Sequence, residues 1–185
     1  MNVYKDETMK EQIIKRMQFA NPWWVSGSIP NDYKSMQHRL YLDTFMPMVA
    51  DVSTRRGVIL MGPRRVGKTV MIFHTIEELI KKGVPAQKII YLSIDTPIYN
   101  NISLEDLLQL ARESLKQSDA SMDGYFVFYD EIQYLKDWEI HLKSLIDSYR
   151  NIKFVASGSA AAALKMKSTE SGAGRFTDFM LPPLT

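Results

Sequence analysis

The sequence predicts a three-layer α/β fold, a parallel sheet covered on both faces. Two observations carry that expectation. Strand-like runs alternate with helical ones, and the strand-like runs are apolar throughout, where a strand with one wet face would alternate. The 185 residues suffice for one domain with a sizeable core.

Two helical segments come first. Met9, Ile13 and Met17 recur at i, i+4, i+8, which predicts a short amphipathic helix from Met9 to Phe19. NPWWVSGSIPND ends it, with Pro22, Gly27 and Pro30 as punctuation. A second helix is expected from Lys34 to Val52, with Leu40, Tyr41, Phe45, Met48 and Val49 on one side and a kink or split at Pro47. The alternation follows. Val58 to Met61 reads as the first strand, and a helix from Lys68 to Lys82 stops at Gly83. Lys88 to Asp95 is the second strand. Ser103 and Asp106 open a helix in the manner of a capping box, and Leu104, Leu107, Leu108, Ala111 and Leu115 form its face. Tyr125 to Asp130 is the third strand. Asp137 is expected to cap a helix carrying Trp138, Leu142, Leu145, Ile146 and Tyr149. Lys153 to Ser157 is the fourth strand, Ala160 to Ala163 starts a short helix, and Phe176 to Leu181 is the fifth strand.

Composition narrows the chemistry. With 45% hydrophobic and 24% charged residues the chain is globular, and its formal charge of +2 argues neither for nor against nucleic acid. The absence of cysteine removes disulfide frameworks, thiolate zinc sites and cysteine nucleophiles. His38, His74 and His141 are scattered without metal-ligand spacing. No apolar run approaches the ~20 residues of a membrane helix and no signal-peptide core opens the chain, so no membrane partner and a cytoplasmic location are expected.

Between the first strand and the next helix lies GPRRVGKT, Gly62 to Thr69, a full match to G-x-x-x-x-G-K-[ST]. Gly62 and Gly67 free the backbone to point successive N–H groups inward, and the helix start near Lys68 adds its positive dipole end. The result is an anion nest for the α- and β-phosphates of a nucleotide, lined by Gly62, Pro63, Arg64, Arg65, Val66, Gly67, Lys68, Thr69 and Val70. Lys68 is expected to reach the β- and γ-phosphates, and the Thr69 hydroxyl to ligate magnesium. Arg64 and Arg65 read as solvated charges beside a polyanion.

The third strand ends on two adjacent acids, Asp130 and Glu131, in YFVFYDEIQYL. A carboxylate on a buried strand needs a partner. Asp130 is expected to hold the magnesium ion through water, and Glu131 to act as general base on the attacking water. A small-molecule kinase has a substrate hydroxyl as acceptor and does not need the second acid, so Glu131 weights the reading toward hydrolysis. Further along, a hydroxyl in SGS, Ser157 to Ser159, either senses the γ-phosphate or caps the alanine helix. Asp95 either contacts Glu131 through water or starts a loop. Arg175, behind glycines, is either an arginine finger offered to a neighbouring subunit or a surface arginine at a strand start. Trp23 and Trp24 either stack an adenine or a base or, as tryptophans beside a proline such as Pro22 more often do, anchor a loop on the core.

NPWW, GPRRVGKT, DEIQYL with Trp138 after it, SGS, GAGR and LPPLT, in this order, resemble the AAA+ superfamily ATPases of bacteria and archaea that join an AAA domain to a C-terminal domain of unknown function. The resemblance covers the chain from about Asn21. It implies an additional-strand P-loop core with strand order 5-1-4-3-2, ATP and magnesium as ligands, Lys68, Thr69, Asp130 and Glu131 in the roles above, Ser159 as the fourth-strand sensor, and Arg175 in the GR motif. Residues 1–54 are expected to form a helical extension packed on a P-loop core over 55–185. Proteins of this group continue well past the PL motif, so an N-terminal piece without the helical lid is expected, weak in hydrolysis.

The leading expectation is an ATP-hydrolysing switch or motor. A nucleic-acid-dependent ATPase is the alternative, supported by a local basic cluster of Arg55, Arg56, Arg64 and Arg65 but by no stacking platform of the kind single-strand binders use. A nucleotide-gated interaction module without turnover is the third, and a phosphotransferase the last.

Overall fold

The computed structural model of the chain describes residues 6–116, 121–162 and 174–183. Five strands, β1 (Gly57–Met61), β2 (Ile89–Ser93), β3 (Phe126–Asp130), β4 (Lys153–Gly158) and β5 (Phe176–Met180), form one sheet in the order β2-β3-β4-β1-β5, with every neighbouring pair parallel. Read from the other edge, this is the expected 5-1-4-3-2. β1, β3 and β4 are buried at every residue, as continuous apolar runs require, while β5 at the edge is only partly covered.

The helices are α1 (Glu7–Ala20), α2 (Trp23–Ser26), α3 (Asn31–Lys34), α4 (Leu42–Ala50), α5 (Lys68–Lys81), α6 (Leu104–Ser114) and α7 (Trp138–Ser148). The chain crosses from β1 to β2 in one direction along the sheet and returns through β3 and β4. Right-handed crossovers therefore place α5 on one face and α6 and α7 on the other. The packing agrees: α3 and α4 lie against α5, whereas α1 and α7 lie against α6.

The NPWW segment covers the open edge of the sheet. On its free side β2 presents backbone groups with no strand to pair, and the segment meets them with side chains. The Asn21 amide donates to the Tyr91 carbonyl at 2.9 Å and accepts from the Tyr91 N–H at 2.7 Å, as a neighbouring strand would, while also donating to the Met17 carbonyl at 2.8 Å. The indole N–H groups of Trp23 and Trp24 both donate to the Ile89 carbonyl, at 3.0 and 2.7 Å. Asn21 and Trp23 are fully buried. An uncovered edge is a template for pairing with other chains. Asn21→Ala is expected to cost about 2–4 kcal/mol, because it strands a buried N–H and weakens the pairing of two carbonyls. Urea unfolding would measure it, and an unchanged midpoint would show that water replaces the amide.

Several boundaries move. The helix expected over Lys34–Val52 is divided into α3 and α4, and the break falls at residues 35–41 rather than at Pro47. Pro47 sits inside α4 on its exposed side, and Asp43, whose carbonyl loses an N–H partner to it, is exposed as well. Leu40 and Tyr41 lie before α4 and are exposed, leaving Phe45 and Val49 as its fully buried residues. Asp137 occupies the N-cap position of α7, yet its side chain makes no capping bond; its φ of 54° is left-handed, and a capping side chain needs extended backbone. Ser103 caps α6 as expected, accepting from the Asp106 N–H at 3.0 Å. Residues 160–162 are helical, and Ala163 lies outside the described residues.

Candidate functional site

Parallel strands end at a common edge, so the segments leaving β1, β3 and β4 meet there. From Met61 the chain turns through Gly62–Gly67 and enters α5 at Lys68. At Gly62 a Cβ would stand 2.7 Å from the Leu181 carbonyl oxygen, so no side chain fits. The loop is held this close because the Leu181 N–H donates to the Met61 carbonyl at 2.7 Å, extending the pairing of β1 with β5. Gly67, at φ 94°, and Arg65, at φ 62°, are left-handed and curl the loop over the start of α5. Val66 is buried and pins it, while Pro63, Arg64 and Arg65 are exposed and Val70 is half-buried.

Lys68 is buried beneath the loop, and its ammonium donates to the carbonyls of Gly62 at 3.1 Å and Pro63 at 2.9 Å. An ammonium carries three N–H donors, so one is left for an anion seated in the loop.

Asp130 is 1% exposed and accepts four hydrogen bonds. The Thr69 and Tyr91 hydroxyls donate to Oδ2, each at 2.8 Å, and the Ser157 hydroxyl and the Glu131 N–H, the latter at 3.1 Å, donate to Oδ1. Register explains the convergence. Tyr129 is level with Ala156 and Tyr91 with Phe128, so Asp130 lies one step along from Ala156, beside Ser157, and on the same face as Tyr91. Burial, and then the charge of Asp130, push the Tyr91 phenol far above its ordinary value, so it remains a donor. The same two causes, burial first, raise Tyr33.

Glu131 leaves the strand in a left-handed conformation, φ 54°, and its N–H is shared between Asp130 and the Ser157 hydroxyl, the latter at 3.0 Å. Its carboxylate, half-buried, accepts from the side-chain amide of Gln133. Ser159 is half-buried just past β4, and its backbone N–H donates to the Gln133 side-chain oxygen Oε1 at 3.3 Å. Thus the fourth-strand hydroxyl on Asp130 belongs to Ser157, while Ser159 approaches the Glu131 turn through its backbone.

Arg175 lies at the other end of the sheet. Its carbonyl accepts from the Gly57 N–H at 2.9 Å, and its guanidinium pairs with Asp147 at 2.6 Å. The five residues of β1 separate it from the loop by about 17 Å, so it does not reach this chain's own site. The four arginines read as a cluster are divided in the same way, with Arg55 and Arg56 before β1 and Arg64 and Arg65 after it. Asp95 is exposed and accepts from the Ser93 hydroxyl at 2.6 Å. The histidines are less scattered than their numbering suggests: the His38 and His74 rings are 4.2 Å apart, and His38 lies 3.4 Å from Glu77. Among the described residues no group of three acids or histidines could hold a metal ion by itself.

Tyr91, Gln133 and Arg39 were not legible in the sequence as parts of this site. The Arg39 guanidinium donates to the Val66 carbonyl in the loop and to the Pro182 carbonyl beyond β5, both at 3.0 Å. It therefore ties the phosphate loop to the end of the edge strand. Its partners are 27 and 143 residues away, and no local pattern points to either.

A family model described as an AAA domain matches residues 54–185. An uncharacterized protein of Haemophilus influenzae is 28% identical over 128 residues, covering 69% of this chain and 31% of that protein. Two uncharacterized proteins of Methanocaldococcus jannaschii are 30% identical over 128 residues and 26% over 122, covering 69% and 66% of this chain and 26% of each protein. The chain thus spans about a third or less of the length of these relatives. No helix among the described residues is long and apolar enough to cross a membrane.

Proposed function

This chain belongs to the AAA domain family, and from that premise we propose that it binds ATP with magnesium and hydrolyses it to ADP and phosphate, driving a switch or motor for a partner. The observation that carries the reading is the 2.8 Å contact between the Thr69 hydroxyl and Asp130, which joins the end of GPRRVGKT to the acid of β3 across 61 residues of sequence. A magnesium ion bound there would neutralise phosphate charge. The residues present suit it: Thr69 and Asp130 are oxygen donors of the hard kind that magnesium takes, and the ion keeps much of its water.

The chain's own residues divide the work. The loop from Gly62 to Gly67, with Val70 behind it, seats the phosphates, and Lys68 supplies the buried positive charge. Thr69 and Asp130 hold the metal side of the phosphates. Glu131, next to Asp130 in the chain and only partly buried, takes a proton from the attacking water. Ser159 stands at the end of the fourth strand as the sensor. Arg175 serves the site of a neighbouring copy, since it is out of reach of its own. The same reading takes residues 1–54 as an extension packed on the core over 55–185, within the group that carries a C-terminal domain of unknown function. It places the protein in the cytoplasm. The separation of the arginine pairs to opposite ends of β1 leaves the nucleic-acid alternative without the patch that suggested it.

Calorimetric titration of ATP and ADP, with and without magnesium, tests the binding half of the proposal. Lys68→Ala is expected to weaken binding by at least about 100-fold, since it removes a desolvated charge that meets a phosphate. Equal affinity in the variant would place the nucleotide elsewhere. Phosphate release on the same samples tests the chemistry, and tight binding with no release would favour the gated module.

A further inference from the structure

We propose that Gln133 is the positioning residue for Glu131 and that it links this base to the end of β4. The inference rests on the ATPase reading above, in which Glu131 activates water.

Gln133 lies two residues past Glu131, in the 3-10 turn Ile132–Tyr134. Both ends of its amide are engaged. Nε2 donates to the Glu131 carboxylate, and Oε1 accepts from the Ser159 N–H at 3.3 Å. The orientation is unambiguous, because a flipped amide would set oxygen against carboxylate and NH₂ against N–H.

The turn has little freedom around that amide. Ile132 is fully buried, and a Cβ on Gly158 would meet the Ala162 Cβ at 3.0 Å, Ile132 Cγ2 at 3.4 Å and Gln133 Oε1 at 3.5 Å. The turn therefore rests directly on the end of β4, and glycine is what lets it approach. The Glu131 backbone is pinned in turn, since its N–H is shared between Asp130 and Ser157. What remains free is the rotation of the Glu131 side chain, and the Gln133 amide removes it. A displacement of the backbone at Ser159 reaches the base carboxylate through this one side chain. A general base must be held within hydrogen-bonding reach of the water it deprotonates, and misplacement by about 1 Å costs about 100-fold in rate.

The residue thus acts on turnover and leaves nucleotide binding alone, which separates it from a merely structural turn residue. The experiment measures single-turnover phosphate release at saturating magnesium-ATP, ATP affinity by calorimetry, and thermal midpoint. The proteins are the intact chain, Gln133→Met, Gln133→Glu, Glu131→Gln and the double variant Gln133→Met/Glu131→Gln. Methionine keeps the length and removes both hydrogen bonds; glutamate sets a carboxylate against a carboxylate. Gln133→Met is expected to slow release about 10- to 100-fold with affinity within twofold and the thermal midpoint held. Gln133→Glu should be slower still, and the double variant no slower than Glu131→Gln. An unchanged or faster release in Gln133→Met would overturn the proposal, as would an equal loss in affinity or a loss that adds to that of Glu131→Gln. Release at the wild-type rate in Glu131→Gln would instead remove Glu131 as the base, and no release from wild type would remove the ATPase reading itself.

Discussion

Asp130→Ala is expected to destabilise the fold by about 3–5 kcal/mol and to abolish the magnesium dependence of ATP binding. The carboxylate collects hydrogen bonds from α5, β2, β4 and its own chain neighbour, and two of the donors, Tyr91 and Ser157, are buried. Each donor left unpaired costs about 1–3 kcal/mol, while Thr69 can turn toward solvent. Tyr91 does not relieve the loss by ionising, since its phenol is held protonated. Asp130→Asn separates scaffold from charge. Its amide keeps one acceptor, and hydroxyls can rotate to accept from its NH₂, so much of the stability should return while metal binding does not. Urea unfolding beside titration with and without magnesium reads both effects. A wild-type midpoint in Asp130→Ala would mean that the four contacts contribute nothing net.

Glu131→Gln should behave in the opposite way, with turnover lowered about 10²- to 10⁴-fold, the range expected for loss of a general base, and with fold and nucleotide affinity intact. Glu131 is half-buried, its backbone N–H is independent of the side chain, and glutamine keeps the volume. Phosphate release at saturating ATP measures the first effect and calorimetry the second. If turnover persists at the wild-type rate, the proton goes elsewhere. If affinity falls with it, Glu131 belongs to the binding site.

The two acids are adjacent in sequence yet differ in environment, and only part of that difference could be read from residues alone. A buried strand ending in Asp-Glu after an upstream phosphate loop was enough to single out both as candidates. That Asp130 would be saturated by hydroxyls was not, since Tyr91 reads as one more core aromatic in an apolar strand. Ser157 was within reach of sequence reasoning. Ser157 lies on β4 and Ser159 just past its end, and strand register puts Ser157 level with Asp130. Register is a property of the paired sheet, so the sequence alone did not show that Ser157 is the hydroxyl of SGS that meets Asp130.

By itself the sequence determined the α/β class, the order of elements, the loop Gly62 to Thr69 and the acids that end β3. These are local matters, set by hydrophobic period, glycine placement and a motif eight residues long. The tertiary structure decided what meets at the site: Tyr91 and Ser157 on Asp130, Gln133 between Glu131 and Ser159, Arg39 across the loop and the edge strand, and the arginines divided between opposite ends of the sheet. Those contacts depend on register and on packing between elements distant in the chain, and neither leaves a periodic trace in the residues that make them.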